Sequence, residues 1–147
     1  SADGLLSAAM AEAFGQFLES KKSVVQSADP VLVLREGWND YVRFAAARPR
    51  LYAAMMSRVL DGADIPAAEQ AFALLIARIG AIAAKGRLRP TVAAAADLMW
   101  ASANAASLLH VTARLRKGAP PTSVVLEQIR EDALRSILKP ATKGRSR

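Results

Sequence analysis

An all-α fold of about six helices is predicted by three features of this sequence. Alanine and leucine dominate while β-branched and aromatic residues are sparse, apolar positions recur at spacings of three and four, and no stretch alternates with period two for long enough to form a strand. Alanine loses no side-chain entropy in a helix and straight-chain residues lose little, so the composition itself favours that state. At 147 residues the chain is one domain by length, large enough to bury a core without a metal or disulfide.

The first helix is read over roughly Ala2 to Val25, with Leu5, Leu6, Ala9, Met10, Ala13, Phe14, Phe17 and Leu18 forming a wide apolar stripe. Ser1, one turn before that stripe, suits an N-cap, and a chain starting on a cap without methionine or leader reads as cut at a domain boundary. Asp29-Pro30 predicts a second start, with Asp29 as cap and Pro30 at the first helical position, where its missing N–H costs nothing. That helix turns Leu34, Trp38, Tyr41, Val42 and Ala45 inward and Arg35, Asn39, Asp40 and Arg43 outward. Pro49 interrupts it by disfavouring helical geometry at Arg48. A short helix resumes with Leu51, Tyr52, Met55, Met56 and Val59 and ends near Asp61-Gly62.

Pro66 opens the fourth helix, whose buried side holds Ala68, Phe72, Leu75, Ile76, Ile79 and Ile82, and Gly86 is placed for a left-handed C-terminal cap. A long fifth helix spans about Thr91 to Lys117 and closes at Gly118. After Pro120-Pro121, Thr122 or Ser123 caps a last helix reaching about Leu138, with Leu126, Ile129, Ala133 and Ile137 as its stripe and Glu131–Arg135 as an exposed i,i+4 pair. Between Val92 and Ala113 the only formal charge is Asp97. Ser102, Asn104, Ser107, His110 and the many alanines make this segment too polar for a membrane span, so a buried helix of a soluble protein is expected. Such a helix needs cover on several sides. A second copy of the chain would supply it, making a two-fold four-helix interface from the last two helices of each protomer. The residues assigned to that interface are Ala105, Leu109, Thr112, Leu126, Ile129, Ala133 and Ile137; a central core helix in a monomer is the alternative.

The formal charge of +7 invites a nucleic-acid reading, but Lys139, Lys143, Arg145 and Arg147 supply four of those charges in a terminal stretch with Pro140 and Gly144. Residues 1–138 are therefore read as the folded domain and 139–147 as a solvated, disordered basic tail. The absence of cysteine excludes thiolate chemistry and disulfides, and the single His110 leaves no imidazole cluster for a metal or a proton relay. Asp40, Asp61, Asp64, Glu127, Glu131 and Asp132 fall at helix ends or on polar faces, and no glycine-rich phosphate loop is present. Gly37 and Gly80 stand singly inside helices, the usual mark of a close helix crossing. No catalytic residue, metal or cofactor is assigned, and the chain is read as a binding protein.

The residues assigned to ligand binding are Phe17, Trp38, Tyr41, Tyr52, Met55, Met56, Phe72, Ile76, Trp100 and Asn104. Methionine adapts to varied shapes, while Trp, Tyr and Asn give a few polar handles, a combination suited to an apolar small molecule between helices. Plain core packing explains the same residues equally well.

The stretch Trp38 to Met56, WNDYVRFAAARPRLYAAMM, resembles a pattern in one branch of the tetracycline-repressor-type (TetR) transcription regulators, in their C-terminal regulatory domain. The opening SADGLL is similar to the end of their DNA-binding module, and GRLRP at Gly86 to Pro90, followed by Leu98, Met99 and Trp100, also looks like that branch. Where many members carry His-Gly after the tryptophan, this chain has Asn104-Ala105. The resemblance spans nearly the whole chain. It implies a cytoplasmic bacterial homodimer held by the last two helices, a pocket for an apolar effector in the earlier ones, and operator DNA bound only through a helix-turn-helix domain upstream of Ser1. Effector binding would then control DNA binding allosterically. A stand-alone helical carrier of a hydrophobic molecule is the alternative function, and a purely structural dimerisation domain a third.

Overall fold

A computed structural model of the chain describes residues 2–22 and 29–140, the side chains of residues 2, 3, 14 and 16–22 excepted. It contains α1 (Ala2–Lys22), α2 (Pro30–Ala47), α3 (Pro49–Leu60), α4 (Pro66–Ala84), α5 (Val92–Arg116) and α6 (Ser123–Ile137), with no sheet among the described residues. The expected end of the first helix at Val25 and the tail from residue 141 onward lie outside the described residues.

Proline opens α2, α3 and α4, and side-chain caps precede α2, α5 and α6. Asp29 Oδ1 accepts from Val31 N at 2.8 Å ahead of Pro30, Thr91 Oγ1 accepts from Ala94 N at 3.1 Å, and Thr122 Oγ1 from Val125 N at 3.3 Å. Each such cap satisfies an orphan donor and contributes about 1 kcal/mol. Gly86 takes a positive φ of 70° just beyond α4, as its position requires. The end of α5 differs from the reading: the left-handed residue is Lys117, φ 57°, and Gly118 N donates to Ala113 O at 2.8 Å. After α6 the chain returns to the connector between α4 and α5. Arg89 N donates to Ile137 O at 2.7 Å and Lys139 N to Arg87 O at 2.9 Å, an isolated antiparallel bridge at Leu88 and Leu138.

Helix α5 is the axis of the domain, touching α2, α3, α4 and α6. Its inward face includes Met99 and the alanines Ala95, Ala96, Ala103 and Ala106, small residues that let neighbouring backbones approach closely. Around it lie two apolar clusters. One joins Leu34, Trp38 and Val42 of α2 to Ile79 and Ile82 of α4, Met99 of α5 and Leu134 and Ile137 of α6. The other joins Met10 of α1 to Phe44 of α2, Tyr52 and Met55 of α3, Ile65 and Val111. Tyr41 packs against both. By length and composition α4 and α5 would each suit a membrane crossing, yet in this fold both pack against other helices of the domain.

Two polar expectations, and one about a glycine, are corrected. Asp40 is buried rather than outward, its Oδ1 accepting from Arg43 Nη1 at 2.7 Å. Glu131 does not pair with Arg135, which instead meets Asp132 at 2.7 Å one turn back on α6. Glu131 takes a bidentate bond from Arg35 on α2, Nε to Oε2 at 2.8 Å and Nη2 to Oε1 at 3.0 Å. Arg130 also donates to Glu131 Oε2 at 2.7 Å, and its Nη1 reaches Asn39 Oδ1 at 2.9 Å. Spacing within a helix ranks only local partners; the planar fork of Arg35 came from another helix. Among the described residues Gly80 is no close crossing, since a Cβ there would meet none of their atoms within 4 Å.

Candidate functional site

Helices α2, α3, α4 and α5 do not close completely on one another. Between them lies a cavity of about 590 Å³, within the size range of small-molecule sites. Its floor is set by buried side chains: Leu34 and Trp38 from α2, Met55 from α3, Ile65, and Met99 and Ala103 from α5. Its mouth is marked by exposed lining residues, Glu69, Ala73 and Ile76 from α4 and Asp97 and Trp100 from α5. Phe72 meets Trp100 edge to face, ring centroids 6.5 Å apart and planes at 84°, and the pair forms an aromatic side wall.

Of the residues assigned to ligand binding from sequence, Trp38, Tyr41, Met55, Met56, Phe72, Ile76 and Trp100 all line this cavity. Tyr52 and Asn104 do not. They stand behind the wall, where Asn104 Oδ1 accepts from Tyr41 Oη at 2.8 Å and from Tyr52 Oη at 2.5 Å, while its Nδ2 donates to Trp100 O at 3.0 Å. The two tyrosine rings pack edge to face at 6.3 Å. Burial raises the Tyr41 hydroxyl far above its ordinary pKa and pushes Tyr52 up to about 12, so both phenols remain neutral donors. The Phe17 side chain lies outside the described residues.

The polar handles foreseen on the wall are therefore already engaged within the protein. Trp38 Nε1 donates to Ser102 Oγ at 2.9 Å, and that hydroxyl donates to Met99 O at 2.9 Å. Sequence reasoning missed Arg78, the one cation of the lining among the described residues, and with it the rim acids Glu69 and Asp97. A signal for Arg78 was present: it is the single charged residue between Glu69 and Lys85. Desolvation by the surrounding apolar wall lowers its pKa, partly offset by the field of Asp40. His110, half-buried on α5, does not line the cavity.

The residues assigned to the dimer interface divide between two environments. Ala105, Leu109 and Thr112 are exposed along α5, on a strip with Leu98, Ala101, Leu108 and Leu115. On α6 the stripe Leu126, Ile129, Ala133 and Ile137 faces the protomer's own core, with Ile137 fully buried. The exposed apolar residues of α6 are instead Val124 and Val125 at its start.

No curated protein and no solved structure matches the chain. A family model described as "Tetracyclin repressor-like, C-terminal domain" matches residues 34–132, which spans α2 to most of α6 and includes all the helices that build the cavity. Family and architecture agree, and the chain belongs to the tetracycline-repressor-like C-terminal domains, a regulatory class.

Proposed function

We propose that this domain binds a small apolar effector in the cavity between α2, α3, α4 and α5. It would pair with a second copy through the exposed face of α5 and the start of α6, and in this way control DNA binding by a helix-turn-helix domain of the whole protein. The observation that carries this reading is the cavity itself, apolar on most of its wall and open on one side. A domain serving only to dimerise has no use for such a void, because unfilled core space costs stability. The allosteric step follows from placement. Helix α1, the first helix of the chain, lies against α3 and α4, both of which supply cavity wall. An effector that favours one packing of α3 and α4 therefore biases the position of α1, and shifts the equilibrium by its differential affinity for the two arrangements.

The test uses Nile red, a neutral dye whose emission rises in apolar surroundings, titrated into the purified chain. Saturable binding is expected, and Met56→Trp, which fills the cavity with a larger apolar side chain, weakens it at least about tenfold while the helical circular dichroism is unchanged. Nile red binding that ignores this substitution would place the dye elsewhere and sink the effector-pocket reading. A chain that binds the dye in the cavity yet is never attached to a DNA-reading domain would be the carrier instead.

A further inference from the structure

We infer that the effector is an amphipathic acid: an apolar body in the cavity, with one carboxylate held by the guanidinium of Arg78. This rests on the cavity being the effector site, and adds the chemical class of its occupant. Two independent features of the structure converge on it.

The first is the state of Arg78. It projects from the middle of α4 onto the cavity wall, half-buried, in a stretch otherwise without charge. A guanidinium carries five N–H donors in a planar fork, and among the described residues no hydrogen bond or ion pair engages any of them. The carboxylate whose field reaches it, Asp40, lies within the protein, and its Oδ1 takes a bond from Arg43 at 2.7 Å. The field of Asp40 only partly offsets the desolvation of Arg78, and a cation on a cavity wall with no hydrogen-bond partner among the described residues calls for an acceptor from outside the chain.

The second feature is the cradle. A Cβ on Gly37 of α2 would overlap Arg78 Nη1, so the absent side chain leaves the niche in which the guanidinium rests. Gly37 itself lines the cavity. Inside a helix a glycine costs about 1 kcal/mol relative to alanine, and here the missing Cβ leaves room for Nη1 of the arginine against α2. The rim acids Glu69 and Asp97 are exposed, where solvent screens them. A charge contact made beside the half-buried Arg78 is worth more than one made at the rim, so the inner cation decides the sign of the preferred ligand.

The experiment compares dodecanoate with dodecanol, equal in chain length and differing in the head, by calorimetric titration and by displacement of Nile red at pH 7.5. For the wild-type chain dodecanoate is expected to bind at least about tenfold more tightly than dodecanol, the size of a charge-assisted hydrogen-bonded contact. Arg78→Gln removes this preference and leaves dodecanol affinity within about twofold; Arg78→Lys keeps the charge without the fork and retains part of the preference. Circular dichroism and retained dodecanol binding show that each variant is folded. Equal affinity of the two probes for the wild type, or an acid preference that survives Arg78→Gln, overturns the inference while leaving the effector pocket standing. Failure of both probes to displace Nile red from the wild type overturns the inference too, and if Nile red itself does not bind, the pocket reading falls with it.

Discussion

At the scale of single residues, the side chain with the largest structural consequence is Asn104. Its carbonyl is shared by two phenols from different helices, Tyr41 of α2 and Tyr52 of α3, while its amide is tied to the backbone of Trp100 on its own helix. Asn104→Leu therefore strands two half-buried or buried hydroxyls at once, and the penalty for an unsatisfied donor exceeds the net value of the bond that was lost. A loss of about 2 kcal/mol is expected, lowering Tm by roughly 5 °C. Tyr52→Phe should cost less than half of that, because it removes the donor and leaves Asn104 bonded to Tyr41. Thermal or urea melts of the two variants check the ordering, and a reversed order would show that Asn104 is not the hub. From the sequence Asn104 was legible as a polar handle near the ligand but not as an internal support. Three-residue and four-residue spacing names the face a residue occupies, whereas the two tyrosines that claim it stand 63 and 52 positions away.

Among the helices, the clearest polar tie joins α2 to α6. Arg35 grips Glu131 with both arms of its fork, and Arg130 adds a second cation and a bond to Asn39. The bond from Arg35, followed by that from Arg130, lowers the Glu131 pKa from 4.5 to about 2. The folded value lies below the unfolded one, so the stabilisation is fully present above about pH 4.5, declines as pH falls through that window, and is gone once pH drops below about 2. Both side chains are about a third exposed, so solvent screening reduces the net value, and Glu131→Gln should cost about 1 kcal/mol at pH 7. Urea melts of the wild type and Glu131→Gln are expected to converge between pH 4.5 and 2; a constant gap across that range would mean the carboxylate charge contributes nothing. This clamp also marks a boundary of what sequence conveys. Helix starts were readable because Asp29, Pro30, Thr91 and Thr122 act on their immediate neighbours. The partner of Glu131 was not, because it lies 96 residues away on another helix.

For the molecule as a whole, the all-helical class and seven of the residues lining the cavity were readable, because both follow from which face of each helix is apolar. What covers the α6 stripe was not, since an apolar stripe identifies a buried face without saying whether it is buried by its own chain or by a second one. In the structure that stripe packs against the domain core, Ile137 fully buried and Leu126, Ile129 and Ala133 partly, while outward on α5 and α6 stand Leu108 at 59% exposure, Val124 at 70%, and the strip from Leu98 to Leu115. A contiguous apolar strip of this kind is unusual on a monomer's surface and suits a self-complementary two-fold contact. Under such symmetry every substitution occurs twice, so Leu108→Glu brings two like charges into a desolvated seam, while in a lone protomer the same glutamate simply enters water. The wild-type chain is therefore expected to sediment as a dimer at micromolar concentration, and Leu108→Glu as a monomer with unchanged circular dichroism. The cavity is built by four helices of a single chain, so the monomeric variant should still bind Nile red with affinity within a few-fold of the wild type. Loss of dye binding in step with dissociation would show that the partner completes the site, and a monomeric wild type would remove the dimer from the mechanism altogether.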